Sequence, residues 1–170
     1  MTNHLPDRLD LYAAAEAGRG LRGRIELLKL ARALPLLESP DGELEVALDL
    51  GRDEDGTYFL AGSIQGRLLL CCQRCLEPME YVLDATFRLG LVRGQEQMQR
   101  LSDRYEPLLI NDEPANLAEI ITDEVLLALP IVPRHDRMET CRVPATDRLS
   151  PDGGGRDTPF GILAKLKQKP

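Results

Sequence analysis

Three of the four cysteines in this chain lie in one short stretch, CCQRCLEPM, at residues 71–79. Its inner pair, Cys72 and Cys75, is separated by two residues, a spacing that both metal knuckles and thiol redox sites use. A tetrahedral zinc site needs about four ligands, so this pair would supply half of them. The other half must come from a distant part of the chain.

Few residues could complete a metal site. The candidates are Cys71, Cys141, His135 and His4. The stretch PRHDRMETC places His135 and Cys141 six positions apart. A zinc site formed by Cys72, Cys75, His135 and Cys141 is therefore one interpretation of the sequence.

Two other interpretations of the cysteines stay open. A redox site at Cys72 and Cys75 needs a thiolate of low pKa, which such sites obtain at the amino end of a helix. Here Pro78 and the alternating pattern from Met79 instead indicate a hairpin turn between strands. In the third interpretation the cysteines are small turn and core residues that bind no metal.

Motifs of common enzyme classes do not occur in the sequence. The glycines at 153–155 lack the Gly-Lys-Ser/Thr that a phosphate-binding loop needs, and no His-Glu-x-x-His motif is found. Two histidines leave little scope for general base catalysis. The sequence therefore predicts a protein without enzymatic activity.

Alternating apolar and polar residues predict strands on both sides of the cysteines. The stretch ELEVALDL at 43–50 alternates, the chain from Tyr58 to Leu70 alternates again, and MEYVLDATFRL at 79–89 has the clearest pattern. Gly62 and Gly66 would permit a bulge or a sharp bend in the middle stretch. Short connections favour an antiparallel meander.

Helical spacing is clearest in LAEIITDEVLLAL, residues 117–129, with Asn116 as the cap and Pro130 as the end. Weaker patterns predict a helix at 9–17 ending at Gly18, a strand at 20–27, a helix up to Pro35, a mobile segment at 94–104 and an edge strand at 106–110. The predicted fold class is α+β. It consists of an antiparallel β-meander, or a partly closed barrel-like sheet, covered by one main helix. Short N- and C-terminal helices complete it.

With 170 residues, the chain is long enough for one core. We assign residues 1–143 to a single β-rich domain. Residues 144–159 are rich in proline and glycine, which predicts a flexible linker. Residues 160–170, FGILAKLKQKP, form a short amphipathic C-terminal tail.

The formal net charge of −7 disfavours unaided binding to a phosphate backbone. Bases concentrate at 19–32 and acids at 38–55, which we interpret as solvated faces or as a bipolar surface that docks a partner.

The longest apolar stretch, VLLALPIVP, is far shorter than the roughly 20 residues of a membrane span. Acids near the amino end interrupt any secretion signal, so we expect a cytoplasmic location and no membrane partner. Reducing conditions there make stable disulfides improbable.

Four stretches, taken in order, resemble the bacterial YceD family, the large ribosomal RNA subunit accumulation proteins. They are LLLCCQRCLEPMEY, YEPLLIND, DEVLLALPIVPRHD with Cys141 after it, and PFGILAKLK. The resemblance implies a factor needed for the synthesis, processing or stability of 23S rRNA, and so for assembly of the large ribosomal subunit. It implies no catalytic activity. The family's cysteine signature falls on Cys72, Cys75 and Cys141.

The acidic balance suggests how a protein with that role would reach its target. Contact through a basic ribosomal protein or an rRNA-processing factor is more favourable than direct neutralisation of RNA phosphates. Residues 38–55 could meet such a partner, and the arginines at 19–32 could touch RNA after docking. Two alternatives remain, a thiol redox protein using Cys72 and Cys75 or a structural protein–protein adaptor.

Overall fold

The computed structural model describes residues 4–111, 114–137 and 141. Within these residues the chain forms a mixed fold of strands and helices, which confirms the α+β class. The elements are β1 (Arg8–Leu9), α1 (Leu11–Glu16), β2 (Gly20–Glu26), 3-10 helices at Leu27–Lys29 and Leu34–Leu36, β3 (Glu43–Arg52), β4 (Tyr58–Cys71), β5 (Pro78–Val92), α2 (Gln95–Arg100), β6 (Glu106–Leu109), β7 (Ala115–Asn116) and α3 (Leu117–Ala128). The linker and tail predicted at 144–170 lie outside the described residues.

The main sheet has the order β2-β3-β4-β5-β6, and β1 pairs with β7 in a small second sheet. Strands β2 to β5 are antiparallel neighbours in chain order, as the predicted meander requires. The outer strands of the described sheet, β2 and β6, do not pair with each other, so this sheet does not close into a barrel.

Strand β6 departs from the meander because it pairs with β5 in parallel. A parallel partner requires a crossover connection, and here the chain returns through α2 before it enters β6. The polar sequence of residues 94–104 predicts a mobile segment, and helix α2 corrects that expectation. None of the residues of α2 is buried, so its polar sequence lacks the amphipathic pattern from which a helix could be predicted.

Strand alternation places one face of the sheet in the core. In β3 the leucines and valine at 44, 46, 48 and 50 are buried, while Glu43, Glu45 and Asp49 are exposed. Burying each such side chain contributes about 1.5–3 kcal/mol. Leu60 and Ile64 in β4 are buried in the same way. The prediction of these strands from periodicity is thus confirmed.

Strand β4 is one continuous strand. Its register with β5 runs without interruption from Phe59 opposite Gly90 to Cys71 opposite Pro78. Gly62 therefore does not mark a bulge. Instead, an added Cβ at Gly62 would collide with the ring of Phe87, the residue directly opposite. The glycine leaves room for that ring to lie across the strand.

Helix α3 begins as predicted, because the side chain of Asn116 accepts a hydrogen bond from the Ala118 N–H at 3.1 Å. Its buried residues belong to the core cluster, and the Tyr81 hydroxyl on β5 donates to the Ala128 carbonyl at 3.0 Å. The helix ends before Pro130. Coverage of the whole apolar face by this helix stays a prediction.

The remaining short elements follow the sequence in part. Asp10 caps α1 by accepting from the Ala13 N–H at 2.8 Å, and Gly18 has the positive φ of +61° that favours glycine. The helix expected up to Pro35 is wrong, because the segment forms two separate 3-10 helices. Pro35 lies in the first turn of the second, where its missing N–H needs no partner. No helix of the described residues is long and apolar enough to cross a bilayer.

Candidate metal centre

The turn between β4 and β5 carries the first half of the candidate site. The Cys72 N–H donates to the Glu77 carbonyl at 3.0 Å, and the Leu76 N–H donates to the Cys72 carbonyl at 2.8 Å. These bonds close a loop around the two cysteines, so the predicted hairpin turn is confirmed. Leu76 has a φ of +61°, a left-handed conformation that costs a non-glycine residue about 1–2 kcal/mol.

The chain after α3 brings the second half to this turn. The Gln73 N–H donates to the Pro133 carbonyl at 2.9 Å, and the Arg74 guanidinium donates to the His135 carbonyl at 3.3 Å. Both contacts use main-chain carbonyls of the second segment. They align residues 133–135 beside the turn and thereby fix the approach of the His135 side chain.

The structure brings together all four residues of the set predicted from the sequence. The sulfur atoms of Cys72, Cys75 and Cys141 and a ring nitrogen of His135 lie within 4.8 Å of one another. The Sγ atoms of Cys72 and Cys141 are 3.9 Å apart, and Cys75 Sγ is 3.5 Å from His135 Nδ1. The three cysteines are buried in the core cluster, and His135 is half-buried.

The other two candidate ligands lie elsewhere. Cys71 is the last residue of β4, and its sulfur is not among the donor atoms that converge in the cluster. Burial and a hydrogen bond with Glu38 raise the pKa of the Cys71 thiol. His4 is exposed and lies beside Glu26 and Glu43, a second group that could reach a metal ion. All three of its members are exposed.

Within the cysteine cluster, the pKa values of Cys72 and Cys141 are shifted in opposite directions. Burial by itself raises the pKa of Cys72, but N–H groups of Cys75, His135 and Arg74 donate toward its sulfur and lower the pKa to about 5. For Cys141, burial and the neighbouring Cys75 and Cys72 raise the pKa to about 11. Several thiolates in one buried site repel each other, and a divalent cation removes that repulsion.

Burial bears on the redox interpretation as well. Cys72 is 0% exposed and Cys75 is 3% exposed. A catalytic thiolate must reach a substrate disulfide, so reactive cysteines are at least partly exposed. The pair also lies between two strands rather than at the amino end of a helix. This arrangement favours a structural role for the thiols.

Sequence reasoning missed the groups that hold the cluster in place. The Pro133 carbonyl and the left-handed Leu76 are main-chain features without a sequence signal, since a glycine would be the usual residue at positive φ. Nothing in the sequence marks Arg74 either, yet its guanidinium donates to the His135 carbonyl.

Comparison with known proteins places the chain in a family. The family model described as Large ribosomal RNA subunit accumulation protein YceD matches residues 60–167. A Haemophilus influenzae protein named Large ribosomal RNA subunit accumulation protein YceD is 33% identical over 132 residues, which cover 75% of each chain. No solved structure matches the chain. With most of its length matched by the family model, the chain belongs to the YceD family of large ribosomal RNA subunit accumulation proteins.

Proposed function

We propose that this protein is a non-enzymatic cytoplasmic factor that supports the synthesis, processing or stability of 23S rRNA, and thereby the assembly of the large ribosomal subunit. The observation that carries the proposal is the family match over residues 60–167, together with the name of the Haemophilus influenzae relative. The matched range includes most of β4 and all of β5, α3 and the cysteine cluster. The described residues most suited to chemistry are buried thiols, which supports a non-catalytic role.

A deletion experiment tests this function. Cells lacking the gene should show a lower ratio of 23S to 16S rRNA than the parent strain. A plasmid copy of the wild-type protein should restore that ratio. An unchanged ratio in the deletion strain would overturn the proposal and favour a protein adaptor unrelated to ribosomal RNA.

The charge distribution supports a protein as the direct partner. Part of the basic stretch and part of the acidic stretch neutralise each other, because β2 pairs with β3 and places Arg24 opposite Glu45. The Arg24 guanidinium lies 3.1 Å from Glu45 and 3.6 Å from Glu43. Arg24 is therefore less available to RNA phosphates than the sequence suggests.

Acids outside these ion pairs remain exposed along the same stretch. They include Asp41, Asp49 and Glu54. A basic ribosomal protein or processing factor would be attracted to them, whereas RNA would be repelled. We propose that the exposed acids at 38–55 dock such a partner, and that contact with pre-ribosomal RNA is indirect.

Charge neutralisation tests the docking surface. The variant Asp41→Asn/Asp49→Asn/Glu54→Gln should co-sediment less with pre-ribosomal particles than the wild type does. A control that neutralises three exposed acids elsewhere, Glu80→Gln/Glu96→Gln/Asp103→Asn, should sediment as the wild type. Equal sedimentation of both variants would show that these acids do not dock the partner. Binding of the purified wild type to protein-free 23S rRNA would show that the direct contact is with RNA.

A further inference from the structure

We infer that Cys72, Cys75, His135 and Cys141 together bind one zinc ion, which fastens the β4–β5 turn to the segment that follows α3. The inference concerns the fold itself and does not depend on the proposed function. It rests on the identity of the donors, the distances between them and the way the two segments are held.

The donor set is one that zinc prefers. Thiolate sulfur is a soft ligand that selects zinc over magnesium or calcium, and three cysteines with one histidine make a common structural zinc site. Four protein ligands fill a tetrahedron and leave no position for a substrate. The ion would therefore stabilise the fold rather than take part in a reaction.

The distances are those of a tetrahedron of zinc ligands. Zinc–sulfur bonds of about 2.3 Å place two sulfurs about 3.8 Å apart at the tetrahedral angle, and a nitrogen bonded at about 2.0 Å lies about 3.5 Å from a sulfur. The observed separations are 3.9 Å between Cys72 Sγ and Cys141 Sγ, and 3.5 Å between Cys75 Sγ and His135 Nδ1. A disulfide would require sulfurs about 2.05 Å apart. All four described cysteines are free.

Main-chain contacts hold the ligands where an ion would need them. The Gln73–Pro133 and Arg74–His135 bonds align the two segments, which are about sixty residues apart in the chain. Leu76 keeps a strained left-handed conformation next to Cys75. Such strain persists where the surrounding structure fixes the backbone, and a metal bond on the preceding residue would do so.

Metal analysis of the full chain, purified under reducing conditions without chelator, tests the inference. We expect about one zinc per chain by elemental analysis. Replacement by Co²⁺ should give the visible absorption of a tetrahedral cobalt site together with strong sulfur-to-cobalt charge transfer. A chain that neither holds zinc nor gives this spectrum on addition of Co²⁺ would overturn the inference. Another metal in its place would overturn the assignment to zinc.

Matched cysteine variants identify the ligands. Cys75→Ser and Cys141→Ser should each lose bound zinc, whereas Cys71→Ser, the same change beside the site, should keep it. His135→Ala should bind weakly, and His135→Cys should regain zinc by supplying a fourth thiolate. Equal zinc content in Cys71→Ser and Cys75→Ser would contradict the assigned ligand set.

The cobalt spectrum of the wild type needs no variant to fold, so it decides the inference if the serine variants are insoluble. Mass spectrometry of the native chain supplies an independent check. A Cys72–Cys75 disulfide in protein purified without oxidant would favour a redox site and exclude zinc ligation by that pair. The ratio of 23S to 16S rRNA tests the proposed function separately, because it can fall on gene deletion whether or not the chain binds zinc.

Discussion

The two turns at the ends of β4 are built from different chemistry. The turn at residues 53–57, which we name the carboxylate turn, is organised by Asp53. Its carboxylate accepts hydrogen bonds from the Thr57 N–H at 2.8 Å, the Arg104 guanidinium at 2.9 Å and the Tyr105 hydroxyl at 3.0 Å. The turn at residues 72–77, which we name the thiol turn, is organised by Cys72 and Cys75.

Each turn recruits a distant segment of the chain. Residues 104–105 reach the carboxylate turn, and residues 133–135 with Cys141 reach the thiol turn. The difference lies in the strength of the bonds. Hydrogen bonds to a charged carboxylate are short and strong, whereas thiols are weak donors and weak acceptors. The carboxylate turn is therefore complete without a ligand, and the thiol turn gains most of its strength if a metal ion joins its sulfurs.

Chelation should separate the two turns most clearly. If the inferred zinc ion is bound, its removal should lower the melting temperature by about 10 °C, since a ligand present at about 1000 times its Kd adds about 4 kcal/mol and each kcal/mol moves Tm by about 2–4 °C at this size. Hydrogen exchange should accelerate at the amides of Gln73 and Leu76. Exchange at Gly56 and Thr57 should change little. Equal acceleration at both turns would show that they unfold as one unit.

Rarity explains why the thiol turn could be predicted from the sequence. The chain has four cysteines and two histidines, so few sets of metal ligands can be assembled. It has 28 acidic residues, and nothing in their spacing marks Asp53 as the one that binds Tyr105 and Arg104. A cluster of rare residue types can be predicted from the sequence, whereas a cluster of common residue types is recognised only in the folded structure.

The same contrast holds for the strands. Strands β3 to β5 were predictable because side chains alternate with a period of two and one face is buried. The parallel pairing of β6 was not, since it depends on the exposed helix α2, whose residues bury nothing. Main-chain contacts such as that of Gln73 with Pro133 also leave no trace in residue types, because every residue has the same N–H and carbonyl groups.

A change halfway along β4 should weaken both turns together. In Gly62→Ala the new methyl group would collide with the Phe87 ring and Leu48, an overpacking that costs about 1–3 kcal/mol. Denaturant unfolding should show this loss, and amides of both turns should exchange faster by similar factors. Gly20→Ala is the control, because there the nearest atom is a movable oxygen of the Asp49 side chain at 3.2 Å. Its effect should stay within about 0.5 kcal/mol.

Removal of the Asp53 carboxylate should have a smaller and more local effect. Asp53→Ala leaves the Thr57 N–H, the Tyr105 hydroxyl and the Arg104 guanidinium without their shared acceptor. The melting temperature should fall by less than in Gly62→Ala, and faster exchange should be confined to the carboxylate turn. Asp55→Ala is the control, since its side chain is 74% exposed and lies beside the same Arg104. A larger loss in Asp55→Ala would mean that the arginine, rather than the shared acceptor, organises this turn.

Acid should weaken the carboxylate turn with a defined sign. Burial opposes ionisation of Asp53, but the Thr57 N–H, the Tyr105 hydroxyl and the Arg104 charge together lower its pKa below the ordinary 3.8. A carboxyl group with a lower pKa in the folded state stabilises the fold above its unfolded pKa, and that contribution disappears as pH falls through the folded pKa. The wild type should therefore lose more stability than Asp53→Ala between about pH 5 and pH 2. Denaturant unfolding of both proteins across this range measures the difference. Parallel curves would show that Asp53 titrates alike in the folded and unfolded chains, so that its three hydrogen bonds position the turn without favouring the charged form.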